Sequence, residues 1–275
     1  MERRSFIKGL AALPLYLATR DVAYGSPSQE IHVNLPAFRL TLKSGIDTRS
    51  YPVAIGRGYA GRPETPVGHG EVYEKRKQVI FRYGQAYPQY DVEKGDIIRW
   101  TNTFKPSGEP TGYLMPYDDM RGLGMRIHTD DGIRSRYVIH STTDWFTVGT
   151  PASSGCLRLN IDDMLDLYSS VIPHRERGQI SVPLTLSYDL IEVSGSLVTL
   201  HADVYGASDH LKELVSHGYP CTPALRNNIR RIRDDFDRAH DHILETLLQD
   251  YPRNFVPDDL KSRLHTTISL EELYS

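Results

Sequence analysis

Short segments with the residue pattern of β-strands dominate the first two thirds of this 275-residue chain. In one of them Phe38, Leu40 and Leu42 alternate with polar residues, which is the period of a strand with one buried face. The other segments of this kind are residues 51–55, 79–83, 96–100, 136–140, 180–188 and 197–201. Clusters of Gly, Pro, Asp and Asn separate them. Many short strands at irregular spacing predict a mainly β domain, built as a sandwich or barrel.

One helix is predicted inside this strand-rich region. Asn160 can cap its first turn, and Asp162 and Asp163 place negative charge where the helix dipole favours it. Apolar residues then recur at helical spacing as far as Val171, and Pro173 ends the helix.

The pattern becomes helical after residue 206. Ser208 is a candidate N-cap of a short helix, and Thr222 with Pro223 opens a longer one. The apolar stripe of the longer helix consists of Leu225, Ile229, Ile232, Phe236, Ile243 and Leu247. We therefore expect an α-helical appendage at residues 207–275 that packs on the preceding domain. A coiled-coil contact with a partner protein is the alternative.

The first 25 residues have the features of an export signal. Arg3 and Arg4 resemble a twin-arginine signal, and a short apolar stretch follows at residues 10–18. That stretch is too short to span a bilayer, and small residues before Ser26 could form a cleavage site. We therefore expect export to the periplasm or cell envelope without a transmembrane span in the mature chain. An uncleaved anchor and a disordered tail are the alternatives.

Charge and cysteine content exclude several classes of protein. The formal net charge of −3 gives no global basic field for nucleic acid or anionic lipid. Cys156 and Cys221 are too few for a disulfide scaffold or for a zinc site built from thiolates. One of them is therefore a candidate reactive thiol. In an exported protein the two could pair, but pairing would silence a nucleophile, so we expect separate thiols.

Residues 137–168 could supply every part of a cysteine acyl-transfer site. Such a site needs a thiolate, an imidazole base, a group that orients the imidazole, and N–H donors for the oxyanion. His140 lies sixteen residues before Cys156, at the end of a predicted strand, and Ser141 follows it. Gly155 ends a turn of small residues directly before the thiol.

The same string resembles the catalytic motif of the L,D-transpeptidase (YkuD-type) family. The matching residues are Ile139, His140, Ser141, Thr142, Gly149, Ser153, Gly155, Cys156, Leu157 and Arg158. Upstream, residues 51–56 and 65–68 are similar to a strand and turn of that family, and residues 197–205 to its closing strand. The resemblance therefore covers about residues 30–205, the expected catalytic domain. It implies a mainly β fold of β-sandwich or mixed-sheet type with one or two helices.

The resemblance also implies an activity. A member of this family would be a cysteine acyltransferase that attacks peptidoglycan stem peptides through Cys156 and forms a thioester. It would serve cell-wall biogenesis and cell shape by 3→3 cross-linking or by attaching a lipoprotein, without a cofactor or metal. Other stems, a lipoprotein lysine, a free D-amino acid and water are all acceptors that this chemistry allows. The alternatives are an L,D-carboxypeptidase or hydrolase of peptidoglycan-linked bonds, and a catalytically impaired peptidoglycan-binding scaffold.

One residue departs from the family pattern. The family usually has a His directly before Gly-Cys, whereas this chain has Ser154. The resemblance implies that His140 is the base, with Ser141, Ser154 and Gly155 supporting the site. It also implies that Arg158 pairs with a substrate carboxylate or braces the active-site loop, the alternative being an ordinary surface salt bridge.

Three further residues are candidates for contact with the substrate. Trp145 lies in the loop between base and nucleophile, and Tyr113 and His128 could also line the cleft. Aromatic residues beside strands more often serve simple packing. His69, His128 and His140 form no HxH or HExxH pattern, so we expect no metal site.

Overall fold

The computed structural model of the protein describes residues 28–58, 64–77, 79, 100–104, 110–116, 120–172, 180–247 and 256–271. The strands are β1 (Gln29–Asn34), β2 (Arg39–Ser44), β3 (Asp47–Pro52), β4 (Ile55–Gly56), β5 (Gly68–Arg76), β6 (Trp100–Phe104), β7 (Pro110–Pro116), β8 (Gly122–Thr129), β9 (Gly132–Arg134), β10 (Val138–Ser141), β11 (Pro151–Ser153), β12 (Leu157–Leu159), β13 (Val182–Ser187), β14 (Ile191–Ser194), β15 (Leu197–His201) and β16 (His265–Ser269). The helices are α1 (Ile161–Ser170), α2 (His210–Ser216), α3 (Pro223–Leu247) and α4 (Asp258–Ser262). The prediction of a mainly β fold with C-terminal helices is confirmed.

A mixed sheet of nine strands organises the molecule. Its order is β12-β10-β8-β5-β13-β1-β2-β3, with β9 paired to β8. The pairs β1–β13 and β10–β12 are parallel, and the other pairs of this sheet are antiparallel. Separate pairings join β4 to β11, β6 to β7, and β14, β15 and β16 to one another.

Alternation along the strands creates the core. Leu40 and Leu42 are buried, whereas Arg39, Thr41 and Lys43 between them are not, as the sequence predicts. Buried residues of neighbouring strands continue this apolar face, which is therefore shared across the sheet. Burial of this face is the main favourable term in the stability of such a domain.

Helix α1 fixes the chain directly after the nucleophile candidate. The side chain of Asn160 accepts a hydrogen bond from the backbone N–H of Asp163 (2.8 Å), so the predicted cap is confirmed. Met164 and Leu167 are fully buried, and α1 packs on β10 and β8.

The C-terminal helices follow the predicted order with one correction. The N-cap of α2 is Asp209 and not Ser208, because the Asp209 carboxylate accepts the backbone N–H of Leu211 at 2.9 Å. Leu214 of α2 is fully buried, whereas Leu211 and Val215 are exposed. The start of α3 at Pro223 is confirmed. Its residues Leu225 and Ile232 are buried, as predicted for the apolar stripe.

The C-terminal region also contains a strand that the sequence did not reveal. Strand β16 pairs antiparallel with β15, from Leu197 opposite Ser269 to His201 opposite His265. Leu264 directly before it is fully buried, and its carbonyl accepts the N–H of Ala202 at 2.9 Å. No residue of β16 is fully buried, and buried and exposed side chains do not alternate along the strand. The segment therefore lacks the period-2 signal of a strand with one buried face.

Several expectations fall on residues outside the described ranges. These are the export signal at 1–25, most of the strand segments 79–83 and 96–100, and Pro173. Among the helices that the structure does describe, none is both long and apolar enough to cross a membrane.

The buried C-terminal contact predicts one cooperative unit. Leu264→Ala should lower the free energy of unfolding of the whole protein by about 2–5 kcal/mol, because it opens a cavity at a fully buried site. Urea unfolding monitored by circular dichroism and tryptophan fluorescence measures this as one shared transition. The control is Leu197→Ala, which truncates a leucine of the same small sheet that is 46% exposed. Separate transitions, or equal effects of the two variants, would contradict the prediction.

Candidate active site

The parallel pairing of β10 with β12 sets the geometry of the site. Ile139 lies opposite Leu157, and His140 lies opposite Arg158. Ile139 and Leu157 are fully buried in the core, so His140 and Arg158 lie on the other face of the sheet. Cys156 comes one residue before β12, and the backbone of Val138 hydrogen-bonds to its sulfur. The thiol therefore lies against β10, two residues from His140 along that strand.

The tautomer of His140 follows from its hydrogen bond. Its Nδ1 lies 2.7 Å from the carbonyl oxygen of Ser141. A carbonyl can only accept, so Nδ1 carries the proton and Nε2 carries the lone pair. Burial, with the positive charge of Arg158 as a second cause, lowers the pKa of His140 to about 4. The ring is therefore neutral at pH 7, as a general base requires.

Cys156 is partly exposed, and its environment favours the thiol. Burial raises the pKa of Cys156 above its usual value, while the Val138 backbone and the charges of Arg158 and Arg76 act in the opposite direction. Because the thiol is the resting form, the sulfur needs a base to become a nucleophile.

A tight turn presents the sulfur. The Ser153 hydroxyl donates to the carbonyl of Cys156 (2.5 Å) and accepts the N–H of Gly155 (3.0 Å). Gly155 has φ +100°, and a Cβ there would lie 2.4 Å from Cε1 of Tyr137. Both the backbone angle and the contact require glycine at this position.

Thr65 and Tyr205 hold this turn from outside the catalytic string. The buried Thr65 hydroxyl donates to the carbonyl of Gly155 (2.9 Å) and accepts the N–H of Gly56 (2.8 Å). The Tyr205 hydroxyl donates to the Gly56 carbonyl (2.7 Å) and lies 3.2 Å from the N–H of Thr65, which donates to it. Sequence reasoning assigned neither residue to the site. The one sequence signal for them is that Thr65 lies in the segment similar to the family's upstream turn, and Tyr205 in the segment similar to its closing strand.

Comparison with known proteins gives the family. The model of the L,D-transpeptidase catalytic domain (YkuD) matches residues 28–180, more than half of the chain. The chain belongs to this family. The predicted membership of the L,D-transpeptidase family is thereby confirmed.

Relatives of this L,D-transpeptidase family member are distant. The chain is 26% identical over 167 residues to "Probable L,D-transpeptidase YcfS" of Escherichia coli (strain K12), which covers 59% of this chain and 47% of that protein. It thus spans about half the length of this curated relative. Solved structures that it resembles include an L,D-transpeptidase from Mycobacterium smegmatis (17% identity, TM-score 0.34, 58% and 59% of the two chains). Another is L,D-transpeptidase 3 from Mycobacterium tuberculosis with a faropenem-derived adduct (18%, 0.36, 58% and 60%).

Arg158 forms a salt bridge with the loop that follows β10 in this L,D-transpeptidase domain. Its Nη1 lies 3.7 Å from Oδ2 of Asp144, whose pKa burial raises. The Nε of Arg158 is buried without a hydrogen-bond partner in the described part of the chain. Asp144 was not predicted as a site residue, because the pairing depends on how the loop folds back on β12.

Donors for an oxyanion are present in the turn. The N–H of Gly155 is used by Ser153. Among the residues that the structure describes, no partner binds the N–H groups of Ser154 and Cys156. The Ser141 hydroxyl is buried and also lacks a partner within the described ranges, so Ser141 contacts the imidazole through its carbonyl instead.

Three residues were predicted as candidate substrate contacts. Trp145 stands in a 3₁₀ turn at Trp145–Thr147 and lines a separate cavity. Tyr113 belongs to β7, and its side chain lies outside the described part. His128 is an exposed residue of β8. It lies four residues, or roughly 13 Å, from Gly124, which is the residue opposite Val138 on β10. The structure therefore does not bring His128 to Cys156.

Other histidines and cysteines do not extend the site. His69 lies opposite His128 across β5 and β8, but the described residues contain no group of three or more ligands that could hold a metal. Cys221 precedes α3 and forms no disulfide with Cys156, and its sulfur lies 3.1 Å from Nε of Arg226.

The close contact at Gly155 generates a stability prediction. Gly132→Ala is the matched control, because Gly132 has a similar angle (φ +118°) but nothing within 4 Å of its Cβ position. Gly132→Ala should cost about 1–3 kcal/mol of unfolding free energy from backbone strain alone. Gly155→Ala should cost at least ~1 kcal/mol more, since the Tyr137 ring must move. Urea titration measures both, and equal losses would show that the Tyr137 contact is unimportant.

Proposed function

We propose that this protein is a cysteine acyltransferase that acts on peptidoglycan stem peptides through a thioester on Cys156. The observation that carries this proposal is the parallel β10–β12 pair. It puts the Cys156 sulfur against the strand of His140, whose Nδ1–H is held by the Ser141 carbonyl. Nε2 is then the basic nitrogen, as deprotonation of a thiol requires.

The first half-reaction forms the thioester. Nε2 of His140 takes the thiol proton as the sulfur attacks the carbonyl of the diaminoacyl residue, in its bond to the terminal D-amino acid. The tetrahedral oxyanion is stabilised by the N–H groups of Ser154 and Cys156. The intermediate then expels the D-amino acid, whose amine receives the proton from His140. A neutral thiol–imidazole pair suits this order of steps, because Nε2 of His140 first accepts the thiol proton and then donates it to the leaving amine.

The second half-reaction transfers the acyl group to an acceptor. An amine gives up a proton to Nε2 of His140 as it attacks the thioester, and Cys156 leaves as the thiol. The acceptor can be another stem, a lipoprotein lysine or a free D-amino acid, whereas water makes the protein a carboxypeptidase. Purified sacculi distinguish these cases, because cross-linked dimers and shortened monomers differ in mass.

Arg158 contributes charge to this site. Its guanidinium favours the Cys156 thiolate and disfavours imidazolium at His140. We assign it to pairing with Asp144 of the loop and to binding a substrate carboxylate through the part of its guanidinium that is not buried. We also propose export to the cell envelope, which the arginine pair and apolar stretch of the first 25 residues support.

Labelling of the sulfur tests the proposed function. A carbapenem should add its mass to the wild-type protein, and Cys156→Ala should abolish the adduct because no other thiol lies beside a base. Cys221→Ala, which removes the other cysteine, should keep the adduct. With sacculi as substrate, Cys156→Ala should produce no cross-linked or shortened muropeptides, whereas Cys221→Ala should produce them as the wild type does. A scaffold without activity would give neither adduct nor altered muropeptides.

The role of His140 gives a second test. His140→Gln should slow acylation by about 10²–10⁴-fold, the usual contribution of a general base. His128→Gln is the matched control and should keep the wild-type rate, because His128 is exposed and remote from Cys156. The wild-type rate should stay nearly constant from about pH 7 down to about pH 5. It should then fall as His140 is protonated with its pKa of about 4.

Stopped-flow acylation rates, with circular dichroism at each pH to confirm folding, measure both effects. A fall centred near the ordinary histidine value of about 6.5, or equal loss in the two variants, would reject His140 as the base.

A further inference from the structure

A concave site lies apart from Cys156 and His140. It is a cavity of about 440 Å³ between the loop that follows β10 and the C-terminal segment. Trp145 and Val148 contribute from the loop, and Asp258, Lys261 and Ser262 from α4. Neither Cys156 nor His140 lines it. The volume falls in the range of pockets that hold small ligands.

Strand register places this cavity on the same face of the sheet as the Cys156 sulfur. Ala54 and Arg158 exchange both backbone hydrogen bonds (2.8 and 3.0 Å) as an antiparallel pair. In an antiparallel pair, Pro52, two residues before Ala54, is therefore level with Asn160, two residues after Arg158. Both residues line the cavity. Asn160 and Cys156 are four residues apart on one extended segment, so they lie on the same face, roughly 13 Å apart.

The lining favours an uncharged ligand. The Lys261 ammonium and the Asp258 carboxylate are 3.1 Å apart and cancel in charge. Burial, followed by the neighbouring His201, lowers the pKa of His265 to about 4, so this wall is neutral as well. The lining therefore carries no net charge to attract an anion or a cation.

The same lining combines apolar walls with hydrogen-bonding groups. Trp145, Phe38 and Pro52 supply the apolar surface. Ser262, Lys261 and Asp258 supply a hydroxyl, an ammonium and a carboxylate at one edge. A sugar presents C–H groups on its faces and hydroxyl or amide groups at its rim, so it is complementary to such a site.

The distance suits the sugar that carries a stem peptide. In a glycan-linked stem, the backbone of the diaminoacyl residue, two further residues and a lactyl group separate the attacked carbonyl from the N-acetylated amino sugar. At about 3.3–3.6 Å for each of these four units, the extended linker reaches roughly 13–14 Å. The cavity lies at about this distance from Cys156. Resting on the proposed function, we propose that it binds the N-acetylated amino sugar of the donor strand, so that glycan-linked stems are preferred over free peptides.

Two donors test the inference. One is a free tetrapeptide, and the other is the same tetrapeptide linked to its N-acetylglucosaminyl-N-acetylmuramic acid disaccharide. For the wild type, kcat/KM should be at least about tenfold higher with the disaccharide-linked donor, since only it gains contacts in the cavity. Ser262→Trp, which fills the cavity from an exposed position, should bring the ratio of the two values close to one.

Ser216→Trp is the matched control. Ser216 and Ser262 are both exposed, both end a helix, and both donate their hydroxyl to the carbonyl three residues earlier at 2.7 Å. Ser216 does not line the cavity, so its variant should keep the wild-type ratio. A wild-type ratio near one, or equal effects of the two substitutions, would overturn the inference while the proposed function stands.

Direct binding separates the two proposals. The disaccharide alone, titrated into Cys156→Ala protein, should shift the Trp145 indole N–H resonance in a saturable way, and Ser262→Trp should abolish that shift. If neither donor acylates Cys156 in the wild type, the proposed function fails, and this titration alone decides the ligand of the cavity. Absence of any shift at Trp145 would reject the sugar.

Discussion

The short parallel pairing of β10 with β12 is the interaction on which the site depends. It holds His140 and Arg158 level on one face while Ile139 and Leu157 anchor the other face in the core. Strands this short pair in parallel only if the chain between them makes a crossover. Here the crossover is the loop of residues 142–156, which carries Trp145 and ends in the turn before the sulfur. Ala54 pairs with the free edge of β12, so the segment after the nucleophile is held from both sides.

Burial shapes the chemistry of this pair more than any single charge. It lowers the pKa of His140 and raises that of Cys156, so both effects favour the neutral thiol and imidazole. The charge of Arg158 acts to lower the pKa of both groups, because a cation favours a nearby thiolate and disfavours a nearby imidazolium. The ion pair is therefore not the resting state, and proton transfer to His140 must accompany attack by the sulfur. The Ser141 carbonyl suits this role, because it fixes the tautomer without adding a charge.

Local signals in the sequence predicted the parts of this site, and only the fold supplies their assembly. Alternation predicted β2, and the Asn160 cap fixed the helix start that follows the thiol. The contact of Thr65 with Gly155 spans 90 residues and leaves no local periodicity, so no pattern could reveal it. The sequence left His128 as a candidate for the cleft, and strand register separates it from Cys156. Ser208 and Asp209 are adjacent residues with the same capping chemistry, and only geometry selects Asp209.

The C-terminal segment is joined to the nucleophile turn by two routes, which argues against treating it as a mere appendage. In one, Lys261 of α4 lies beside the loop at Gly149, where a Cβ would be 3.8 Å from its Cδ. In the other, β16 completes the sheet of β15, and the chain beyond β15 leads to Tyr205, which binds the Gly56 carbonyl and the Thr65 N–H. Thr65 then binds Gly155. Because each step is a hydrogen bond or a packed contact, displacement of β16 would loosen the turn that presents the sulfur as well as the wall of the adjacent cavity. Selection of the glycan and presentation of the nucleophile would thus depend on the same 256–271 segment.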